Sequence, residues 1–195
     1  KFICYTSLMT ELKAKFTKMT DGTAEDWSII AESNINESTD LPFKILDHLK
    51  MLGKDYGGFA VDRLTHSIQT ASRAHRDGKD VEYVVCALLH DIGDVISPVN
   101  HSQVSAALLR PYISEKNYWI VLNHGLFQGY YWVHHYDEDR NARDKYKNHQ
   151  YYQDCIDFCT KWDQISFDPD FDTKPLDYFI PMIKEIFLRK PKSFV

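Results

Sequence analysis

Six residues of this chain are candidates to bind metal ions together: His66, His90, Asp91, His101, His124 and Asp163. Neutral imidazole and ionised carboxylate are both good ligands for iron, manganese or zinc. His90 and Asp91 stand side by side at the end of a stretch, Val81 to Leu89, that is almost continuously apolar. Such a stretch reads as a central buried helix, opened by Asp80 as N-cap and closed by Gly93 in a left-handed turn. A carboxylate at the end of a buried helix is costly to leave unpaired. Taken alone, the pair reads first as a histidine and an aspartate capping each other. The other four residues change that reading.

Each of them falls on a predicted helix. His101 follows Pro98 and Asn100 and shares a face with Val104 and Leu108. It therefore points inward, near a helix N-terminus whose partial positive charge favours neutral imidazole. His124 lies four residues after Ile120 and three after Val121, at the end of a helix capped by Ser114 and closed at Gly125. Asp163 falls on the apolar face (Tyr152, Cys155, Ile156, Cys159, Trp162) of a helix over about 149–164, where a carboxylate needs a partner. His66 sits opposite the stripe Val61, Leu64, Ile68 and Ala71, beside Phe59, Thr70 and Arg73. That face suits a surface histidine and a cleft-lining ligand equally. Six donors on five successive helices are too many for one tetrahedral zinc. They suit two octahedral-leaning ions sharing Asp91, and a donor set rich in carboxylate and imidazole favours iron or manganese.

The rest of the chain bounds the answer. Its 195 residues suffice for one domain, and 44% hydrophobic with 26% charged content reads as soluble and globular. The net charge of -5 argues against a nucleic-acid backbone as partner, and no run is long enough to span a bilayer. Cys4, Cys86, Cys155 and Cys159 form no metal-ribbon spacing, which fits a reducing, cytoplasmic compartment. The chain opens at Lys1 rather than Met, so a missing signal peptide carries no weight. Residues 1–54 read as a helical extension packed on the core. Leu8, Leu12, Phe16 and Met19 recur at helical spacing, and Thr23 with Asp26 resembles a capping box. Residues 32–40 read as polar loop, and a helix starting at Asp40 and Pro42 carries Ile45, Leu46, Leu49 and Leu52. Pro181 kinks the last helix or marks its true start. The aromatic segment 126–136 reads as a pocket wall or lid, and the charged run 137–147 as solvated. The fold class is all-α, with residues 55–195 as the main domain.

His66, then His90-Asp91, then Asp163 resembles the pattern of the HD-domain superfamily, an all-helical metal-dependent fold. His101 and His124 place the resemblance with binuclear members. Among these it is most similar to the mixed-valent diiron oxygenases, which include myo-inositol oxygenase and phosphonate-cleaving enzymes. The likeness spans about residues 55–165. It implies His66, His90, Asp91 and Asp163 at one iron, and His101, His124 and the shared Asp91 at the other. The implied cofactor is two iron ions, Fe(II)/Fe(III), with manganese as the alternative. Tyr56, ten residues before His66, matches a tyrosine that closes over the metal, and Gly57-Gly58 would let it swing.

The chain departs from the phosphonate enzymes at three places. Phe59 replaces a glutamate that recognises the substrate amine, Asp94 replaces a histidine and Gln128 replaces a lysine. Substrate contact is therefore expected from Asp94 and Gln128, with Lys161, or else Arg143 or Lys147, restoring a positive charge. Two functions follow. One is an oxygenase that uses O2 to cleave a C–C or C–P bond of a small hydroxylated substrate, favoured by the aromatic segment and by few basic residues near the motif. The other is a metal-dependent phosphohydrolase acting on a nucleotide or other phosphate ester. The expected partners are a small-molecule substrate and O2, with no nucleic acid and no membrane.

Overall fold

Val81 to Leu89 forms a helix because Asp80 accepts a hydrogen bond from the amide of Tyr83 at 2.8 Å, and because every side chain from Tyr83 to Leu89 is buried. In the computed structural model, which describes residues 12–192 (of 36 and 37 the backbone alone), this helix, α3, packs against α2 (Arg63–Arg76), α5 (Glu115–Gln128) and α7 (Ile180–Phe187). A short link leads from α3 to α4 (His101–Leu109), which packs on α5. α1 (Ala24–Lys50) precedes them, and α6 (Tyr152–Phe158) lies against α5. Among the described residues there are no strands, and the fold is all-α. No described helix is long and apolar enough to cross a membrane.

The chain falls into two compact units, Lys1–Leu41 and Pro42–Val195. In the first, Thr23 and Asp26 form the expected capping box. The Thr23 amide donates to Asp26 Oδ2 at 3.0 Å, and the Asp26 amide donates to Thr23 Oγ1 at 3.3 Å. The Phe16 and Trp27 rings lie 5.3 Å apart. Leu12, Phe16 and Met19 do not share a helix: residues 12–16 are irregular, and only Met19–Asp21 turns, as 3₁₀. Leu8 and Cys4 lie outside the described residues.

Residues 32–40 are not a loop. α1 runs through them and carries Pro42 inside it. Their described side chains are exposed, so this is a solvent-facing helix whose lack of an apolar stripe hid its period. In the second unit Ile45, Leu46, Leu49 and Leu52 are buried, as their spacing predicts, so residues 42–54 pack with the larger unit. Pro181 marks the true start of α7, at its first turn.

Two glycines act otherwise than expected. Gly93 makes no left-handed cap; α3 ends at Leu89, and Gly93 lies in a 3₁₀ turn, Ile92–Val95. A Cβ there would stand 2.9 Å from His101 Cα and 2.9 Å from Val104 Cβ. Gly125 does not end α5, which continues to Gln128. A Cβ on Gly125 would meet Ser102 Oγ at 2.7 Å. Both glycines are places where α4 approaches too closely for a side chain.

Candidate metal centre

The ends of α2, α3, α4 and α5 bring four imidazoles together. His66 Nε2 and His90 Nε2 are 3.2 Å apart, and His101 Nε2 and His124 Nε2 are 3.3 Å apart. Asp91 stands between the two pairs. Its Oδ2 lies 3.4 Å from His66 Nε2 and 3.3 Å from His90 Nε2. Its Oδ1 lies 3.0 Å from His124 Nε2 and 3.4 Å from His101 Nε2. Asp163 Oδ1 closes the first pair, 3.3 Å from His66 Nε2 and 3.6 Å from His90 Nε2.

The local backbone explains these positions. Asp163 ends a π-turn, Cys159–Asp163, that continues α6, with the Gln164 amide donating to the Cys159 carbonyl five residues back. Inserting such a turn rotates the residues after it relative to the α-helical register. Trp162 anchors the turn by donating from Nε1 to Asp77 Oδ2 at 2.7 Å. Beyond it, Gln69 holds both the amide and the carbonyl of Asp168, which fixes the segment that carries Ser166 and Phe167.

Each of the four histidines has its second ring nitrogen on a backbone carbonyl. His66 Nδ1 meets Ser166 O at 3.0 Å and His90 Nδ1 meets Ala87 O at 2.8 Å. His101 Nδ1 meets Pro98 O at 2.9 Å and His124 Nδ1 meets Val121 O at 2.7 Å. A carbonyl only accepts, so Nδ1 carries the hydrogen and every Nε2 turns a lone pair to the shared centre. Neutral imidazoles so arranged would set lone pair against lone pair at 3.2–3.3 Å. Protons or cations must lie between them. Asp163 Oδ2 is buried without a hydrogen-bond partner, a second mark of a missing positive charge.

The electrostatics agree. Burial opposes a charged His66, but hydrogen bonds and charge from Asp163 and Asp91 outweigh it and raise this group to about 9. His90 is raised in the same way against its own burial. Burial pushes Asp91 up, yet the His90 charge and the imidazole hydrogen bonds hold it well below the carboxylate range. The buried Asp163 and the half-buried Asp91 thus demand cationic company. The donor set fits divalent ions, with two groups able to hold one: His66, His90 and Asp163, and His90, Asp91 and His124. His101 falls outside both groups but borders the second through Asp91 and His124.

A cavity of about 150 Å³ opens onto this centre, lined by His66, Asp91, His101, His124 and Asp163 among others. His90 is fully buried behind them. Of the expected substrate contacts, Asp94 and Gln128 line the cavity. Asp94 is not free: it ion-pairs with Arg63, and its Oδ1 lies 3.3 Å from His101 Nδ1. Lys161 does not reach the cavity; it pairs with Asp157 at 2.8 Å one turn away on the exposed side of its helix. Arg143 stacks on Tyr130, its guanidinium carbon 3.8 Å from the ring centre, and is also outside the lining. Tyr56 is exposed and is not among the residues lining the cavity. Of the aromatic segment 126–136, Trp132 alone of its aromatic residues lines the cavity.

Two lining residues, Arg63 and Phe167, escaped the sequence reading. Arg63 lies three positions before His66 on the same helical face, a spacing that marks it as a neighbour. It also pairs with Asp55, Nε to Oδ2 at 3.1 Å. This arginine is the one basic side chain of the Lys and Arg types in the cavity lining, and two carboxylates neutralise it. Phe167 stacks on His66 at 4.2 Å and on Phe59 at 4.6 Å. Phe167 and Ser166 follow the last turn of a helix, where no period signals their direction.

Residues 63–154 match the HD domain family. The matched segment includes five of the six donors and ends before Asp163. No curated protein matches the chain.

Proposed function

We propose that the HD domain of this chain holds two divalent ions and is an oxygenase that cleaves a C–C or C–P bond of a small hydroxylated substrate. The observation that carries the reading is the Asp91 carboxylate, whose two oxygens face different pairs of imidazoles. His66, His90, Asp91 and Asp163 would hold one ion, and Asp91, His101 and His124 the other. Iron is the proposed metal and manganese the alternative. Bound there, two irons would supply dioxygen activation and Lewis acidity toward a substrate hydroxyl.

The residues of the chain supply orientation and dryness. The four Nδ1–carbonyl bonds keep a proton on Nδ1 and leave Nε2 free to donate its lone pair. Phe167 and Phe59 stack in series on His66 and keep water from that side of the centre. Arg63, the one cation of the lining, is already paired with Asp94. Beyond the ions themselves, a phosphate ester would find no unpaired cation in the lining, which supports the oxygenase reading.

The test measures metal content, then O2 uptake against phosphate release over polyols, hydroxyphosphonates and nucleotides. Two irons per chain with substrate-dependent O2 uptake is the expected result. Phosphate release supported by manganese, with no O2 demand, would overturn the proposal in favour of the phosphohydrolase.

A further inference from the structure

Outside its metal-facing donors, the cavity offers little polarity. Arg63 and Asp94 neutralise each other, and Asp94 is further engaged by His101. Gln128 remains, with Oε1 buried and without a partner. The other large side chains of the lining are aromatic: Phe59, Trp132 and Phe167. Phe59 is 48% exposed and Trp132 50%, so each has an uncovered apolar surface at the cavity. At about 150 Å³, the donor faces included, the cavity admits only a small occupant.

These features set limits on the occupant. A polyol, with hydroxyls on every carbon, would lose water at most of them and, away from the ions, regain little beyond Gln128. A second anionic group, away from the ions, would find no unpaired cation. A ring-sized apolar body would cover Phe59, Trp132 and Phe167 at no polar cost.

We infer that the site takes a small 2-hydroxy acid with an apolar, ring-sized body. Its hydroxyl and carboxylate face the donor cluster, and its body lies against Phe59, Trp132 and Phe167. The placement of the head rests on the two-ion reading; the choice of body rests on the wall alone.

Binding is measured by calorimetry without O2, on the protein as purified with its metal, using mandelate, glycerate and myo-inositol. Mandelate and glycerate share one head and differ in body. Mandelate is expected to bind about tenfold tighter than glycerate, and myo-inositol weaker than either. Trp132→Ala and Phe59→Ala, both at half-exposed sites, should each weaken mandelate about fivefold and leave glycerate within about twofold. Unchanged metal content and glycerate binding report that each variant is folded. Equal affinity for mandelate and glycerate, or equal loss of both in the variants, overturns the inference, as does tighter binding of myo-inositol. Because no O2 is present, a mandelate preference without later O2 uptake would sink the oxygenase alone. O2 uptake with myo-inositol but not mandelate would sink this inference alone.

Discussion

Gly93 lies flat against His101: a Cβ added to it would stand 2.9 Å from His101 Cα and press on the His101 carbonyl. The contact seats α4 against the turn that follows Asp91, so a backbone position with no donor atom sets where one imidazole reaches the centre. Gly93→Ala should cost about 1–3 kcal/mol by overpacking. It should also lower metal retention, because His101 must move with its backbone. Thermal unfolding and metal analysis on the same preparation check both. An alanine variant with wild-type stability and metal content would show that α4 yields freely there.

Asp94 stands behind His101: its Oδ1 lies 3.3 Å from His101 Nδ1, while its Oδ2 pairs with Arg63. Carboxylates behind metal-binding histidines typically contribute 10–100-fold in affinity. Asp94→Asn should weaken retention of the ion beside His101 and His124 by about that factor, and leave the ion beside His66 and His90 in place. Chelator titration would resolve the two. Loss of both ions together would mean that Asp94 supports the whole centre.

Glu82 carries a pH-dependent part of the stability. Its carboxylate accepts from the Ser114 amide at 2.7 Å, Asn117 Nδ2 at 2.9 Å and Arg189 Nη1 at 2.6 Å, joining α3, α5 and the segment after α7. Burial pushes this group up, but the Ser114, Arg189 and Asn117 hydrogen bonds outweigh it and hold it below its ordinary 4.5. A depressed folded value gives stability that is fully present above the unfolded value and lost as pH falls through the folded one. Glu82→Gln should therefore cost about 1–3 kcal/mol at neutral pH. The gap to wild type should close on acidification below 4.5. Denaturant midpoints from pH 7 downward measure it, and a gap independent of pH would contradict the assignment.

How much of this was legible in the sequence depends on whether a regular period carried it. Asp80, the Val81–Leu89 run, His124 and His101 lie on helices, so the apolar neighbours of each reported its direction. An α-helical period puts Asp163 on the inward face, although a π-turn delivers it. Trp162 and Cys159 are buried around it in either register. Gly93 and Gly125 looked like helix stops because glycine often ends helices. Their actual role, close approach of α4, depends on residues far away in the chain. Phe167 and Ser166 had no period to betray them. Lys161 looked useful for its charge alone; its own helix offers Asp157 four residues back, and that local pairing takes it.

The most direct test of the two-ion account is metal stoichiometry in three proteins: wild type, Asp91→Ala and His101→Ala. With Asp91 shared between the two pairs of imidazoles, the account predicts about two ions per chain in wild type, close to none in Asp91→Ala and about one in His101→Ala. Equal retention in the two variants, or a single ion in wild type that His101→Ala leaves untouched, would contradict it.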